Sequence, residues 1–560
     1  MVPLRSVGYS SGVVILMQIP DISLPSTTDP AIRQAFAQLL NLIESLVAAN
    51  QAQRAENQQL RDEIARLKGS SPKPDIPPPR PPADHSSEAE RQTRTPHRKA
   101  AKKPNLHITR EEPCRVDPAT LPPGATRAGT TETIVQDLRL TPEVIRFVRE
   151  VWFVPSTGTT ITARLPAGYD GEFGPHIQTL TIALGYGANV SQPSLLTTYQ
   201  DAGIAIGAGT IARWMGDHTG RWQAEAAAIQ QAGLASGDWH ASDQTPTRVA
   251  GLNQTCHVLG NDQYTVYQTR AGGTRQDVLA VLWGQEPCFR LNDDALAWLQ
   301  QAQMAAGVRA RLRDVLPWDQ DLSDADLTAR LREAGIVLRD QQHQQVWDAL
   351  GIAAYHAQTG VPIVRQLLSD DASVYHLLTD EHLLCWVHDG RHYAKLSPVV
   401  PQHHELLATF RHDYWNYYRK LAVYREQPSA EAHDRLRREF ASLFGHRTGY
   451  DALDERIAKT RANMELLLGV LDHPEIPLHN NAMELAARRR VRKRDVSFGP
   501  QSEAGARAWD TFQTIIATAA KQGVRLYDYL LKRRTDPELT PSLADRISGR
   551  SRPAPSFDPT

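Results

Sequence analysis

The chain has 560 residues, a formal net charge of −1 at pH 7, 41% hydrophobic and 22% charged residues. This length exceeds what one hydrophobic core normally supports, so two to four domains are expected. The balanced charge gives no support to a uniformly basic nucleic-acid binder, although local patches can still attract phosphate. Four widely spaced cysteines exclude a disulfide framework and predict a reducing cytoplasm. No apolar run reaches the roughly 20 residues that a membrane-spanning helix needs.

The N-terminal part of the chain predicts a long helix. Residues 1–30 are expected to be a disordered extension, with either Met1 or Met17 as the true start. Apolar residues then recur in an alternating 3-4 pattern, which predicts a coiled-coil dimerisation helix over residues 31–68. The a positions are Phe36, Ile43, Asn50, Asn57 and Ile64, and the d positions are Ile32, Leu39, Leu46, Gln53, Leu60 and Leu67. Asparagine at an a position favours a coiled coil of two parallel helices. The polar residues in the middle of the helix also allow an alternative, in which it is an amphipathic helix packed on its own domain.

A change of composition marks residues 69–112. This segment is rich in Pro and Ser, lacks apolar periodicity and predicts an extended basic linker. Its second half contains a group of cations without an intervening acid, namely Arg94, Arg98, Lys99, Lys102 and Lys103. These residues could follow a phosphate backbone, and a merely solvated linker explains them equally well.

Residues 113–234 predict a helical DNA-binding domain. Within it, "SQPSLLTTYQDAGIAIGAGTIARWMGDHTGRW" has the pattern of two helices around a tight turn. Ser191 can cap the first helix, with Pro193 in its opening turn and Gly203 at its end. The second helix, which contains Arg213, could then enter a major groove as in a helix-turn-helix. Many helix pairs of this kind bind no DNA.

Residues 235–533 alternate short strands with helix-rich stretches. Helical insertions are predicted at about 290–359 and 400–472, "GVPIVRQLLSDDA" predicts an apolar strand that ends in acids, and "EHLLCWVHDGRHYAKL" predicts a helix. Cys385 and His388 would form half a zinc site, but no partner pair is evident, so zinc is not predicted. Residues 534–560 predict a disordered tail.

Three acids in this region point to metal chemistry. Asp243 and Asp370 are predicted to follow strands, where side chains meet the open edge of a sheet, and Glu484 falls in a predicted helix. Three carboxylates brought together would repel one another, and Mg²⁺ prefers such hard oxygen ligands. Two such ions about 3.5–4 Å apart could activate an attacking oxygen and stabilise a leaving one in phosphodiester chemistry.

A cluster of positive charge follows the third acid. Within residues 488–494 the cations are Arg488, Arg489, Arg490, Arg492, Lys493 and Arg494. On a helix, Glu484, Arg488 and Arg492 share one face because they are spaced by four residues. The face that presents an acid to metal ions would therefore also present cations to a nucleic-acid backbone. Pairing of these arginines with surface acids fits the sequence less well.

Several motifs together resemble a known family. They are "SDQTPTRV", "SDDASVY" followed by "CWVHDGRHY", "HNNAMELAARRRVRKRDVSFGPQSEAGARAW" and "IIATAAKQGVRLYDYL". In this order they resemble the DDE transposases of the insertion sequence 66 family. The resemblance implies an α/β ribonuclease H-like catalytic domain with large helical insertions, preceded by an N-terminal coiled coil and a helical, helix-turn-helix-like DNA-binding domain.

The resemblance also implies site residues and partners. Asp243, Asp370 and Glu484 would be both the catalytic triad and the ligands of two Mg²⁺ ions, for which Mn²⁺ can substitute. Supporting residues would be Asn480, Asn481, His388 and Arg391, and DNA contacts would come from Arg213, Arg488, Arg492, Lys493, Arg98, Lys99, Lys102 and Lys103. The expected partners are terminal inverted repeats, target DNA, further copies of the chain bound through residues 31–68, and accessory proteins of the same element. A bacterial, nucleoid-associated location in the cytoplasm would follow.

Departures from the family pattern keep other functions open. His479 stands where the family usually has Asp, and Cys114 stands alone where a cysteine cluster is common, so no zinc knuckle is predicted. Asp371 beside Asp370 makes the second acid ambiguous, and Tyr375 favours Asp370. A catalytically silent DNA-binding relative and a ribonuclease H-like nuclease without strand transfer are the alternatives.

Overall fold

The computed structural model describes residues 29–67, 108–127, 129–217 and 220–549. The chain divides into two compact units at Arg365 and Asn480. The described residues up to 67 and Gln366–Asn480 form the first unit, and the described residues from 108 to Arg365 and from Asn481 to 549 form the second. Within these residues, no helix is long and apolar enough to cross a membrane.

The helices and strands are numbered here in chain order. The helices are α1 Pro30–Leu67, α2 Pro175–Ile182, α3 Gln192–Asp201, α4 Ala208–Met215, α5 Arg221–Leu234, α6 Arg275–Trp283, α7 Asp293–Gln301, α8 Ala306–Val315, α9 Asp324–Glu333, α10 Asp340–Ala357, α11 Trp386–Ala394, α12 Pro401–Glu426, α13 Ala430–Leu443, α14 Asp451–Ala462, α15 Met464–Leu468, α16 Asn481–Ser497, α17 Glu503–Lys521, α18 Leu526–Thr535 and α19 Leu543–Ile547. The strands are β1 Val151–Val154, β2 Thr159–Thr162, β3 Trp239–Val249, β4 Leu252–Gly260, β5 Thr265–Arg270, β6 Phe289–Arg290, β7 Asp321–Leu322, β8 Gln366–Ser369 and β9 Glu381–Leu384.

The second unit is built on an antiparallel sheet with the strand order β5-β4-β3. The strands β3 and β4 are joined by Ala250 and Gly251, and both have positive φ, 49° and 81°, as a type I′ hairpin turn requires. The long helix α17 packs on β5, and α16 packs on β3 and β4. A second core, formed by α7–α10 with β6, occupies the first predicted helical insertion.

The two helices that were predicted around a tight turn are present in this unit. Helix α3 begins after Ser191, whose side chain accepts a hydrogen bond from Ser194 N at 3.2 Å. It ends before Gly203, which has a φ of 88°. The two helices α3 and α4 pack against each other. The predicted cap and turn are therefore confirmed, while DNA binding by α4 stays a prediction.

The first unit contains the parallel strand pair β8 and β9 and a helical core. The helices α12–α15 occupy the second predicted insertion, around buried aromatic residues such as Trp386, Tyr414 and Phe440. Helix α1 is present but docks partly on this unit: Glu44 Oε1 accepts hydrogen bonds from Val399 N and Val400 N, both at 2.9 Å. The helix is thus confirmed, and the described contacts agree with the alternative of packing on its own domain.

Two predictions of local structure were wrong. The segment "EHLLCWVHDGRHYAKL" is not one helix, because Glu381–Leu384 pairs in parallel with β8 before α11 begins at Trp386. The prediction of a disordered tail is wrong for residues 534–549, since Leu543 and Ile547 of α19 are buried in the core with α5, and the rest of this segment lies outside the described residues. The described residues form a mixed α/β structure with a helical majority, compatible with a ribonuclease H-like domain.

Candidate active site

Asp243 lies in the middle of strand β3, opposite Val258 of β4. The prediction that it follows a strand was wrong, because β3 continues through Val249. The side chain is half-buried, and its Oδ1 accepts a hydrogen bond from Gln244 N at 2.8 Å. A mid-strand position fixes the backbone on both sides, so the carboxylate is held by a paired strand rather than by a loop.

Glu484 is in the first turn of α16, the helix that packs against β3 and β4. Only 9% of the residue is exposed. Its Oε2 lies 3.4 Å from Arg488 Nη2, so the two residues share a face as predicted, but Arg488 pairs with the acid, which the sequence had made the less favoured interpretation. Tyr267 of β5 donates from its hydroxyl to Ala486 O at 3.1 Å and helps to hold this turn of the helix on the sheet. A buried carboxylate is costly without compensation, so this position is more than a solvated surface acid.

Part of the basic cluster after Glu484 is internal. Arg490 is 1% exposed and forms an ion pair with Asp510 of α17, and its Nη2 also donates to Thr269 Oγ1 at 3.3 Å. Lys493 is also 1% exposed. Its Nζ donates to Gly185 O and lies 5.0 Å from the centre of the Tyr186 ring. Burial lowers the pKa of Lys493 to about 8.

These contacts correct the prediction that Lys493 binds DNA. Its ammonium group is enclosed by protein and has no exposed surface on which to meet a phosphate. The reason is that α16 packs on β3 and β4, and two cations three residues apart, Arg490 and Lys493, lie on its buried side. No pattern in the local sequence marks these positions, because their partners Asp510 and Gly185 are distant in the chain.

Asp370 belongs to the first unit and directly follows strand β8, as predicted. It is half-buried, and its Oδ1 accepts a hydrogen bond from Ala372 N at 3.2 Å. The neighbouring Asp371 is exposed, with its Oδ2 3.4 Å from His392 Nε2. Of the two neighbouring acids, Asp370 is therefore the more buried one and the one that directly follows the strand.

The surroundings of Asp370 include two of the predicted supporting segments. Cys385 N donates to Ser369 O at 2.9 Å, and Asn480 N donates to Cys385 Sγ at 3.2 Å. The segment Leu478–Asn480 is thereby tied to the start of α11, which also carries His388 and Arg391, both half-buried. The next residue in the chain, Asn481, begins the helix that carries Glu484.

Comparison with known proteins gives the family. Residues 353–508 match the family model described as Transposase IS66 family. The chain is also 31% identical over 302 residues to an uncharacterized protein, y4jO, of Sinorhizobium fredii (strain NBRC 101917 / NGR234), in an alignment that covers 53% of this chain and 92% of that protein. The chain belongs to the IS66 transposase family. No solved structure matches it at a significant level.

The segment that matches the IS66 family model includes Asp370 and Glu484, whereas Asp243 lies before it. Asp243 and Glu484 are on packed elements of the second unit, and Asp370 is in the first. Among the described residues, no group of three or more His, Cys, Asp and Glu side chains is close enough to hold a metal ion. The chemistry of the three acids still fits Mg²⁺, because all supply hard carboxylate oxygens.

The remaining candidate DNA contacts of this IS66 family member differ in their position. Arg213 on α4 and Arg488 and Arg492 on α16 are exposed, so their guanidinium groups can reach a phosphate. Four further candidates, Arg98, Lys99, Lys102 and Lys103, lie outside the described residues.

A buried aspartate beside the supporting residues was missed by the sequence reasoning. Asp389 of α11 accepts hydrogen bonds from Arg456, from Thr460 Oγ1 at 3.0 Å and from Tyr414 Oη at 3.1 Å. Burial raises the pKa of Asp389, although the Arg456 guanidinium opposes this effect. The network fixes α11 to α12 and α14. The signal that could have revealed it is the acid on the apolar side of an otherwise amphipathic helix.

Proposed function

We propose that the protein is an active DDE transposase, which binds the terminal repeats of a mobile element and catalyses metal-dependent DNA strand cleavage and strand transfer. The observation that carries this proposal is the burial of Glu484, in the segment that matches the IS66 family model, on a helix packed against the strand of Asp243. A carboxylate held in this way offers hard oxygen atoms at a fixed position, as a bound Mg²⁺ would require.

In this proposal Asp243, Asp370 and Glu484 hold two Mg²⁺ ions, with Mn²⁺ able to substitute. Bound there, the ions would activate an attacking oxygen and stabilise the leaving oxygen. We propose that these carboxylates are supported by Asn480, Asn481, His388 and Arg391. The exposed Arg488 and Arg492 are proposed to hold the DNA backbone, since one guanidinium group can bind two phosphate oxygens at once.

The proposed reaction has two steps. Water attacks the phosphorus at the end of the element, the bond from phosphorus to the 3′-oxygen breaks, and a 3′-hydroxyl and a 5′-phosphate result. The 3′-hydroxyl then attacks a phosphodiester of target DNA and forms a new ester bond, while a target 3′-hydroxyl leaves. In the proposed assembly, α4 with Arg213 contacts the terminal repeat and α1 pairs protomers, so that both ends are joined together.

The test uses Glu484→Gln and a labelled duplex that spans the element's terminal repeat and its host flank. We expect the parent to nick the repeat end in Mg²⁺ or Mn²⁺ and not in EDTA, leaving a 3′-hydroxyl. Glu484→Gln should abolish the nick and leave DNA affinity equal or slightly higher, because one negative charge near phosphate is removed. The matched control is Glu503→Gln, an acid on α17 whose side chain is 80% exposed; it should cleave like the parent.

His479 gives the second candidate function a specific basis, since it replaces the family's usual Asp next to Asn480. A catalytically silent DNA-binding protein would bind the repeat tightly and never nick it, with or without the accessory proteins of the element. A nuclease without strand transfer would nick but never join the cut end to a second duplex. Nicking by Glu484→Gln at the parental rate would remove this residue from the site.

A further inference from the structure

An aromatic side chain stands exposed at the end of the helix that carries Glu484. Phe498 follows α16 directly, and 85% of its surface is exposed. Its backbone has a φ of +56°, a conformation that is strained for a bulky residue and readily adopted by Gly or Asn. Neither an exposed phenyl ring nor a strained backbone stabilises the fold, so folding does not explain why phenylalanine occupies this position.

The backbone under Phe498 is firmly held. Phe498 N donates to Arg494 O at 2.7 Å, and Pro500 O accepts from Ala250 N of the β3–β4 turn at 3.0 Å. Gly499 lies so close to this turn that a Cβ added to it would be 2.7 Å from Arg248 O. The exposed ring is therefore mounted on a fixed support and is not the tip of a loose loop.

Positive charge surrounds this support. Arg494 Nη1 donates to Pro246 O, and Arg248 Nη2 donates to Gly251 O at 2.8 Å. Both arginines line one open cleft, together with Thr247 and Asn253. Carbonyl oxygens orient these guanidinium groups without neutralising them, and Asp495 lies at 3.9 Å from Arg494 Nε, too far for a strong pair.

We propose that Phe498 stacks on a DNA base that is unpaired near the end of the element, while Arg494 and Arg248 hold the adjacent phosphates. This inference rests on the function proposed above and adds a contact to it. An aromatic ring beside cations is the arrangement that binds single-stranded DNA without regard to sequence, because every base offers a flat π face. Insertion of such a ring into a duplex also unstacks the neighbouring base step.

The position of the ring gives the expected position of the base. Fourteen residues separate Glu484 from Phe498, so the two lie about 21 Å apart along the helix at 1.5 Å per residue. At 3.4 Å per nucleotide, a DNA strand that follows α16 would place the stacked base roughly six nucleotides from the cleaved bond.

The experiment places the fluorescent base 2-aminopurine singly at successive positions on both sides of the cleavage point, in a duplex of the terminal repeat with its flank. With the full-length parent we expect a rise of fluorescence near the sixth nucleotide and not along the whole duplex. Phe498→Asn should lose this rise and bind about tenfold to a hundredfold more weakly, as expected for one base stack. Phe498→Trp should retain the affinity, because an indole ring can stack on the same base.

The choice of variants separates stacking from folding. Asparagine accepts the left-handed backbone, so Phe498→Asn should melt no lower than the parent. The control is Leu252→Asn, which removes an apolar side chain that is 68% exposed on the neighbouring β3–β4 hairpin. This variant should leave the fluorescence signal and the affinity unchanged.

Two outcomes would overturn the inference while leaving the proposed function standing. One is a Phe498→Asn protein with the parental affinity and fluorescence pattern. The other is a loss of self-association in both Phe498→Asn and Leu252→Asn with unchanged fluorescence, which would assign the apolar residues to a protein contact. Failure of the parent itself to bind or cut the repeat would instead overturn the proposed function.

Discussion

Glu484 and Lys493 are buried on the same helix, but their charges are compensated in different ways. Glu484 lies at the edge of the packed face, where the half-exposed guanidinium of Arg488 reaches it. Lys493 is enclosed, and its Nζ meets a carbonyl oxygen and the faces of Tyr186 and Trp509. The acid can therefore be approached by an incoming cation, whereas the lysine links α16 to the turn at Gly185 and serves the structure.

The enclosure of Lys493 predicts a dependence of stability on pH. Its pKa of about 8 in the folded state is below the unfolded value of 10.5, so the unfolded state binds more protons between these values. Stability from this residue therefore rises as the pH goes from about 8 to 10.5. Lys493→Met removes this dependence. The unfolding free energy of Lys493→Met minus that of the parent should fall by about 2 kcal/mol between pH 7 and pH 10.

Chemical denaturation at a series of pH values measures this difference. The half-buried Lys521, whose pKa is also lowered to about 8 by desolvation, contributes equally to parent and variant and cancels. Lys532→Met, a change at an exposed lysine of α18, is the control and should show a difference that does not change with pH. If the difference in unfolding free energy between Lys493→Met and the parent did not change with pH, the Lys493 ammonium group would be solvated in the folded state.

At the scale of helices and strands, the sequence predicted those features that depend on residues close together in the chain. The cap at Ser191, the turn at Gly203 and the shared helix face of Glu484 and Arg488 all depend on residues within four positions of each other. The strand β9 was missed because a short apolar run fits a strand and a helix equally well until a neighbour is known. The burial of Arg490 was missed for the same reason, since its partner Asp510 belongs to another helix.

The Asp389 network makes a prediction for α11 and α14. Asp389→Asn leaves the Arg456 guanidinium, 11% exposed, without its carboxylate, and breaking such a buried pair costs about 3 kcal/mol. Hydrogen exchange of the peptides that cover α11 and α14 should become roughly 100-fold faster at equal pH. The control Asp434→Asn changes an acid that is 69% exposed and should leave exchange unchanged. Unchanged exchange in Asp389→Asn would show that the pair adds nothing to these helices.

At the scale of the whole molecule, α1 has two faces with different roles. The d positions Ile32, Leu39, Leu46 and Leu60 are between 52% and 61% exposed, and they form the stripe that a second copy would cover. On another side, Glu44 accepts hydrogen bonds from backbone N–H groups at the start of α12, and Asn41 Nδ2 donates to Gly449 O at 3.0 Å. The a positions Phe36 and Ile43 are half-buried, so docking uses part of the seam that a coiled coil needs.

Docking and pairing of α1 should therefore compete. Glu44 accepts hydrogen bonds from the two backbone N–H groups just before α12, and loss of such a contact costs about 1 kcal/mol, so Glu44→Ala should weaken the docking of α1 and tighten self-association of the chain about fivefold. Analytical ultracentrifugation over a range of concentrations measures this change. Glu56→Ala, at an exposed position of the same helix, should leave it unaltered. Weaker self-association of Glu44→Ala would contradict this prediction. It would mean that α1 pairs with a second copy while it is docked, and that its contact with α12 keeps the d positions exposed for pairing.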